Sequence, residues 1–333
     1  MPLHYTFQGS GVAAKYGFDV EFVIVHDRGA DGSVKTMEDR VGMLLGGEVE
    51  FISGLHHEPY AARLRGDRRF VYLAQTQNSW DDRLVGRRGV GSPGELVGKT
   101  VLVHAAAPCI LGNLRSALRR SGVDPDLVRF VVSEEYIAAG KHRAVQAVVE
   151  GAADAALVDI PFDLKARKLG LQVIPLPDLP VIHNTTITTL TENVRRDEAG
   201  VVAFLKALVE AIHFFKTRRE ETIRILSETI ARKLRLEEDE VRYLWAEWAR
   251  LLLRKPYPHP LAIQNVYDAD FGGQPGAHRV SPLEPWDLHY LRRIDDEGFI
   301  DRLYADEEEG RGPGSGDSEV ASDSRGSAPA SGS

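Results

Sequence analysis

Several segments of this sequence place chemically capable side chains directly after short apolar runs. Two histidines, His56 and His57, follow one such run, and a stretch dense in amides, from Gln75 to Asp82, follows another. Imidazoles can transfer protons, and amides can hydrogen-bond a polar ligand. Equivalent positions after other apolar runs hold His104, Cys109, Glu134, Glu135, Asp159, His183, Asn184 and Thr185.

These residues could act together because each of them follows a predicted strand. In a parallel α/β sheet, ligands bind at the carboxyl ends of the strands, where loops and helix amino-termini converge. Exposed loops are also polar without any function, but recurrence over several loops favours one shared ligand site. The residues that we predict to contact this ligand are Ser53, His56, His57, Gln75, Gln77, Asn78, Trp80, His104, Asp159, His183, Asn184 and Thr185.

Common catalytic and metal-binding patterns are not matched. The sequence has no G-x-S-x-G nucleophile motif and no G-x-x-x-x-G-K-[ST] phosphate loop. Neighbouring residues on a helix diverge by about 100°, so we do not expect His56 and His57 to face one metal ion. Cys109 lies at a predicted helix start, where a thiolate is favoured, and His104 or His183 could approach it. We interpret Cys109 as a buried structural residue, and predict no catalytic residue, metal or cofactor.

The apolar runs are predicted to be strands because they are short and rich in β-branched residues. Between them, apolar residues recur three and four positions apart, as at Leu111, Leu114 and Leu118, which is typical of helices. This alternation predicts parallel βαβ units and an α/β fold with helices on both faces of the sheets. The predicted strands are 20–25, 49–52, 70–74, 100–103, 128–132, 155–158 and 171–174.

Beyond Leu190 the pattern becomes helical. Apolar residues from Val201 to Phe215 follow the helical period, and residues 222–236 and 238–253 do the same. Trp245 and Trp248 fall on one face of the last of these helices, a pattern that we assign to core packing.

The C-terminal third has three further parts. Six prolines between 255 and 285 predict a wrapping loop, and a short helix is expected from Trp286 to about Tyr304. Residues 305–333 are rich in Gly, Ser and acidic residues and cannot bury enough apolar surface to fold. We therefore predict a disordered acidic tail.

Composition limits the classes of function. The chain has 333 residues, a net charge of -8 and a single cysteine, so the fold depends on packing rather than on internal disulfides. Without a basic surplus, binding to nucleic acid or to an anionic membrane has little electrostatic support. No apolar run is long enough to cross a membrane, and the start lacks a signal peptide. As written, the chain is expected to be cytoplasmic.

A set of short motifs resembles a known family. In their order and spacing they are similar to the type II periplasmic binding proteins, and more narrowly to the nitrate/sulfonate/taurine-type solute-binding proteins and the related pyrimidine synthases of thiamine biosynthesis. The resemblance covers about residues 2–253. The motifs are Gly17-Phe-Asp-Val-Glu-Phe22, Leu44-Leu-Gly-Gly-Glu-Val-Glu-Phe51, Ser92-Pro-Gly-Glu-Leu-Val-Gly-Lys-Thr-Val101, Glu150-Gly-Ala-Ala-Asp-Ala-Ala156 and Phe204-Leu-Lys-Ala-Leu-Val-Glu-Ala-Ile212.

The resemblance implies two α/β lobes that close like a hinge over one small molecule. Lobe one would comprise residues 1–83 and 189–304, and lobe two residues 84–188. The connecting strands would cross near Asp82–Val85 and Ile187–Leu190. The ligand contacts of the family come from the same strand-end loops that hold the site residues named above.

Two features depart from this family. Its members begin with a strand before the helix that is predicted here from about Pro2 to Tyr16, and exported members also carry a signal peptide. We therefore expect either a truncated start, in which case the protein is exported, or a divergent intracellular protein. The second departure is residues 257–304, which are longer and more patterned than a transport protein requires. This segment could be a packing strap or could complete an active site.

The favoured function is a binding protein of an ABC-type importer. The histidines, amides and Trp80 suggest a polar organic ligand such as a sulfonate, a carboxylate or a pyrimidine, with an ABC permease as the possible partner. The alternative is an intracellular enzyme on the same fold, resembling a thiamine-pyrimidine synthase or an aromatic-acid decarboxylase, with histidines and acids as acid–base groups. The cysteine-rich run of the synthases is absent, since Pro108-Cys-Ile-Leu111 holds one cysteine.

Overall fold

The computed structural model of the chain describes residues 1–23, 37–103, 108–132, 141–182 and 185–310. The strands within these residues form two sheets. They are β1 (Ile52–Ser53), β2 (Phe70–Gln75), β3 (Arg83–Gly86), β4 (Thr100–Val103), β5 (Arg129–Val132), β6 (Ala155–Val158), β7 (Gln172–Ile174) and β8 (Thr186–Leu190).

The α-helices surround these sheets and make up most of the C-terminal half. They are α1 (Pro2–Gly9), α2 (Met37–Leu45), α3 (Glu58–Leu64), α4 (Pro108–Arg120), α5 (Lys141–Val149), α6 (Phe162–Lys168), α7 (Thr191–Arg196), α8 (Glu198–Thr217), α9 (Arg219–Glu228), α10 (Ile230–Leu234), α11 (Glu238–Leu251), α12 (Pro260–Asp270), α13 (His289–Asp296) and α14 (Phe299–Gly310).

The five-stranded sheet has the order β5-β4-β6-β3-β7. Its strands β5, β4 and β6 run parallel, and β3 pairs antiparallel with both β6 and β7. Because successive strand residues point to opposite faces, Val101 and Val103 pack into one core together with α4, whereas Leu102 packs into another with α5. Both faces of this sheet are therefore covered, as the alternation of strands and helices predicted.

The three-stranded sheet, of order β1-β8-β2, corrects the expectation of parallel neighbours. Both β1 and β2 pair antiparallel with β8. Strands β1 and β2 run in the same direction, as predicted, because each is antiparallel to β8. They are not neighbours, however, since β8 lies between them. Strand β8 follows the strands of the second sheet in sequence and pairs with β1 and β2 over a long sequence distance. Local sequence patterns do not encode such a pairing.

Two chain segments connect the sheets, 76–82 and 175–185, of which residues 175–182 and 185 are described, and the described parts lie side by side. Trp80 N donates to Leu179 O at 3.0 Å, and Val181 N donates to Asn78 O at 3.1 Å. The first segment ends at β3, close to the crossing predicted at Asp82–Val85. The second ends before β8, so the predicted crossing at Ile187–Leu190 lies within β8 and residues 186–188 pair in the first sheet rather than the second.

Most predicted strands are confirmed, and two differ. Strands β4 and β6 match their predictions at both ends, and β2, β5 and β7 match within one residue. The predicted strand 49–52 is reduced to β1, at Ile52–Ser53. Of the predicted strand 20–25, residues 20–23 form no strand and the remainder lies outside the described residues.

Two predicted helices are interrupted at glycines. The helix expected from Pro2 to Tyr16 divides into α1 and a short 3-10 helix, because Gly11 has a φ of 67°. The last helix divides into α13 and α14 at Gly298, which has a φ of 71°. Such left-handed conformations end an α-helix and are accessible to glycine at little cost. Helix α14 extends to Gly310, beyond the predicted start of the tail at residue 305.

The C-terminal helices pack on the first sheet as their apolar periodicity predicts. Residues of α8, α9 and α11 form one core with Val71 and Leu73 of β2. Trp248 is 4% exposed within this core, and Trp245 donates its indole N–H to Phe215 O at 2.9 Å. The assignment of the two tryptophans to packing is confirmed.

The proline-rich segment 256–288, here called the strap, follows the free edge of β2. Tyr72 N donates to Pro285 O at 2.7 Å, Asp287 N donates to Tyr72 O at 2.8 Å, and Gln75 N donates to Pro256 O at 2.9 Å. The strap was predicted to be a loop, but it contains α12, which begins with His259 as N-cap and Pro260 in its first turn. Proline is favourable in the first turn of a helix, and His259 Nδ1 accepts from Leu261 N at 3.2 Å. The density of prolines obscured this helix start.

No helix within the described residues is both long and apolar enough to span a membrane.

We expect the strap to depend on Trp286, which donates its indole N–H to Tyr60 Oη at 3.1 Å and packs on the Tyr72 ring at a centroid distance of 4.7 Å. Trp286→Ala should lower the free energy of unfolding by about 2 kcal/mol or more, measured by urea denaturation. Leu283→Ala is the control, because Leu283 lies in the same strap and is 57% exposed. Equal effects of the two substitutions would contradict this account of the strap.

Candidate functional site

The predicted ligand residues fall into separate groups in the structure. His56 and His57 lie together at the start of α3, and Cys109 meets them from the first turn of α4. The amide-rich segment lies instead along the two connecting segments and the strap. His104, His183 and Asn184 lie outside the described residues.

The first group is an imidazole and thiol cluster that we call the His–Cys cluster, formed by His56, His57 and Cys109. One ligand atom from each of these residues lies within 4.8 Å of the other two. The two imidazole rings have centroids 4.0 Å apart. The expectation that the adjacent histidines would diverge is therefore wrong. His57 is the N-cap of α3 and His56 precedes it, so the angular spacing of a helix interior does not apply.

An acidic residue from the strap completes this cluster. His57 Nδ1 lies 3.1 Å from Asp270 Oδ2, at the last position of α12. The side chain of His57 is 21% exposed and that of Asp270 is 13% exposed, so the pair is largely removed from solvent. The two histidines, Cys109 and Asp270 come from three separate parts of the chain, and only the fold brings them together.

The environment of His57 favours its cationic form. Burial by itself lowers the pKa of this imidazole, but the hydrogen bond to Asp270 and the nearby Cys109 outweigh burial and raise the pKa to about 9. At pH 7 the ring therefore carries a positive charge that is held beside the Asp270 carboxylate.

The cluster is enclosed by aromatic side chains. Cys109 is 7% exposed and His56 is 2% exposed. Tyr72 donates its hydroxyl to His56 O at 2.7 Å, and the ring of Phe271 lies 6.2 Å from that of His57. The interpretation of Cys109 as a buried residue is confirmed, but its neighbours are titratable groups rather than apolar side chains alone.

Gln75 and Thr185 join the two connecting segments. Gln75 Nε2 donates to Thr185 Oγ1 at 2.7 Å and also to Gln77 O, and Thr186 donates its hydroxyl to Gln75 Oε1. Both Gln75 and Thr185 are fully buried. Their polar groups thus satisfy one another, which is the usual state of buried polar side chains.

Asn78 has a similar architectural position. Its Nδ2 donates to Tyr257 O at 2.8 Å, and its Oδ1 accepts from His259 N at 3.0 Å. Both polar atoms of the Asn78 side chain therefore form hydrogen bonds between the first connecting segment and the strap.

Gln77 differs from Gln75 and Asn78, because one of its two polar side-chain atoms has no hydrogen-bond partner within the described part of the chain. Gln77 Nε2 donates to Ser79 O at 3.1 Å, whereas its buried Oε1 has no hydrogen-bond partner among the described residues. The same holds for the buried hydroxyl of Thr76. The carbonyl oxygen of Ser79 can only accept a hydrogen bond, so the Gln77 atom that contacts it must be the donor Nε2. Gln77 Oε1 is therefore left as an acceptor for an N–H or O–H group.

The remaining predicted residues lie at other positions. Trp80 is 8% exposed within the core on one face of the second sheet, and its indole N–H donates to Asp82 Oδ2 at 2.8 Å. Ser53 lies in β1 opposite Ile187, and Asp159 follows β6 in a half-buried position. Their contact with a ligand stays a prediction.

A surface cavity of about 460 Å³ lies away from all of these groups. It lies between the end of α3 and the strap, and is lined by Arg63, Arg68, Arg279 and Glu284 among others. None of the predicted ligand residues lines it.

Asp270 is the site residue that the sequence reasoning missed. No motif connects it with His57, and the helix that carries it was predicted to be loop. Apolar residues three and four apart, at Ala262, Ile263, Val266 and Tyr267, were the available signal, and all four are buried.

The comparisons with known proteins agree with this architecture. The model of the family described as NMT1/THI5 like matches residues 84–222. Among curated proteins, none matches the sequence. The chain has the periplasmic binding protein fold, and the type II resemblance predicted from the sequence is confirmed at this level.

Three solved structures illustrate the likeness. A putative periplasmic sulfonate-binding protein SsuA from Methylobacillus flagellatus KT aligns with a TM-score of 0.62 and 14% identity, covering 88% of this chain and 90% of that chain. The aliphatic sulphonate binding protein SsuA of Escherichia coli aligns with a TM-score of 0.55 and 17% identity, covering 80% and 88%. The desulfurization enzyme DszB aligns with a TM-score of 0.60 and 14% identity, covering 89% and 96%. At these identities, the alignments establish the fold.

The His57–Asp270 pair gives a direct test of the site. In an NMR pH titration of the imidazole signals, His57 should titrate with a pKa of about 9. Asp270→Asn should lower this pKa by about 1–3, because the charge beside the ring is removed.

Asp268→Asn is the matched control, since Asp268 lies on the same helix and accepts from Gln264 at 2.7 Å. It should leave the titration of His57 unchanged. A wild-type pKa of His57 near 6.5, or equal shifts in the two variants, would contradict the assignment.

Proposed function

We propose that this chain binds a small polar organic molecule between its two sheets, as the solute-binding component of an ABC-type importer. The ligand class that we favour is an organic anion, a sulfonate or carboxylate, or a pyrimidine-like compound. The observation that carries the proposal is the pair of adjacent connecting segments, 76–82 and the described residues 175–182 and 185, between the two sheets.

This arrangement has the geometry of a hinge. Two neighbouring connections that hydrogen-bond to each other allow two α/β units to rotate about one axis, so that a ligand between them can be enclosed. The corresponding division is residues 1–83 with 189–304 as lobe one and 84–188 as lobe two, as the family resemblance implied. Pairing of residues 186–188 with the first sheet favours placing the second boundary slightly earlier.

Two polar features support a polar organic ligand, one by offering an acceptor to an N–H or O–H group and the other by offering a positive charge. Gln77 Oε1 is a buried acceptor on the first connecting segment, and its pairing with a ligand N–H or O–H would satisfy it. His57 is cationic at pH 7 and offers a charge to an anion, although it also pairs with Asp270. The SsuA proteins with the same fold are described as sulfonate-binding proteins, which supports the anionic class.

Ligands can be identified by thermal shift with a panel of alkanesulfonates, aromatic carboxylates and pyrimidines. A ligand at 100 times its Kd adds about 2.7 kcal/mol to the free energy of unfolding. For a compound that binds and carries an N–H or O–H group, Gln77→Ala should weaken the affinity about 3- to 10-fold in isothermal titration calorimetry, because one buried hydrogen bond is lost.

Asn78→Ala is the matched control for this experiment. Both polar atoms of Asn78 are already bonded within the protein, so this substitution should lower the Tm of the unliganded protein and keep the affinity within about twofold. No stabilising compound in the panel, or an affinity loss in Asn78→Ala but not in Gln77→Ala, would count against the proposal.

The alternative function, an enzyme on the same fold, draws on one observation. The carboxylate of Asp270 faces His57, and His57 faces the thiol of Cys109, an order of groups that activates cysteine nucleophiles. The desulfurization enzyme DszB shows that the fold also occurs in enzymes.

Thiol alkylation tests this alternative. If Cys109 is an activated nucleophile, iodoacetamide should modify it at pH 7 faster than it modifies an unstructured cysteine peptide, and His57→Gln should slow the reaction. A slower reaction in the wild-type protein that His57→Gln leaves unchanged would argue against the enzyme.

A further inference from the structure

We propose that His56, His57 and Cys109 bind a divalent metal ion of the zinc class, with Asp270 as the residue that orients His57. This inference does not depend on the proposed transport function. It concerns the His–Cys cluster alone, which lies at the junction of the first sheet, the second sheet and the strap.

The first argument is distance. Three atoms that lie within 4.8 Å of one another have a common point no more than about 2.8 Å from each of them, by the geometry of a triangle. Zinc bonds to imidazole nitrogen and thiolate sulfur are about 2.0–2.3 Å long. Closure onto an ion therefore requires each ligand atom to move by no more than roughly 0.5–0.8 Å, which rotation of side-chain torsions can supply without moving the backbone.

The second argument is the chemistry of the donors. Two imidazoles and one thiolate suit zinc and cobalt, whereas calcium and magnesium require oxygen ligands. Three protein donors leave the fourth position of a tetrahedron to water or to a ligand molecule, as in zinc sites that bind substrates.

The third argument is the Asp270 contact. Metal-binding histidines usually donate their second ring N–H to a carboxylate or a carbonyl, which fixes the orientation of the ring. His57 Nδ1 makes this contact with Asp270 Oδ2 at 3.1 Å, so Nε2 is the nitrogen available to an ion. His57 Nε2 is buried and has no hydrogen-bond partner among the described residues.

The fourth argument is enclosure. Cys109 is 7% exposed and His56 is 2% exposed, within a core that includes Tyr60, Tyr72 and Phe271. In such surroundings the attraction between a cation and a thiolate is weakly screened by water. A metal here would also connect three chain regions that are distant in sequence, and would fix α3 against α4.

The test uses untagged, full-length protein treated with a chelator and a reductant, and Co²⁺ as the spectroscopic probe. One equivalent should bind with a thiolate-to-cobalt charge-transfer band in the near ultraviolet and with the visible bands of a tetrahedral site. Zn²⁺ should displace the cobalt, raise the Tm and slow the alkylation of Cys109.

Substitutions test which residues form the proposed metal site. Cys109→Ser should abolish the charge-transfer band, and His56→Ala should remove the tetrahedral spectrum. Asp270→Asn should weaken the affinity about 10- to 100-fold and keep the band, because Asp270 acts through His57. His289→Ala, at an exposed histidine of α13, should bind like the wild-type protein.

Three results would overturn the proposal. They are a wild-type protein that binds no cobalt while its circular dichroism is that of a folded chain, a Cys109→Ser variant with an unchanged band, and zinc that leaves the alkylation rate unchanged. The alkylation measurement needs no substitution, so it decides the matter even where a variant fails to fold.

Discussion

A buried strand must have the peptide groups of both its edges hydrogen-bonded, and this requirement at β2 organises much of the molecule. Every residue of β2 is buried. One edge pairs with β8, the strand that returns from the second sheet, and the other edge pairs with the strap at Tyr72 and Gln75. Unpaired peptide groups in such a position would be costly, so the strap is a structural necessity rather than an appendage.

The position of the strap in turn decides what surrounds His57. Once the strap follows β2, α12 packs against α4, and the last residue of α12 is Asp270. The carboxylate then meets an imidazole that β1 and α3 have placed, beside a thiol from the first turn of α4. The charge of His57, the enclosure of the cluster and the arrangement of donors on which the proposed metal site rests are thus consequences of how one strand edge is covered.

The amide-rich segment contains both internally bonded side chains and one buried acceptor on which the proposed ligand contact rests. Gln75 and Asn78 use their polar atoms within the protein, one between the connecting segments and the other toward the strap. Gln77, between them in sequence, retains a buried acceptor. The proposed hinge and ligand site would need both kinds of residue, because mobile segments without internal hydrogen bonds would not define a site.

The sequence by itself determined four of the five strands of the second sheet, β4 to β7, the apolar faces of the C-terminal helices and the resemblance to the periplasmic binding protein fold. The strands and the apolar faces depend on periodicity within about ten residues, where strand and helix patterns are distinct. The resemblance depends on the order and spacing of short motifs. It also identified His56, His57 and Cys109 as residues of interest. Only the tertiary structure decided that β8 lies between β1 and β2, that Gln75 and Asn78 bond internally, and that Asp270 faces His57. Those contacts join residues far apart in the chain, and their partners are selected by packing and by the hydrogen-bonding needs of buried groups, which no local pattern records.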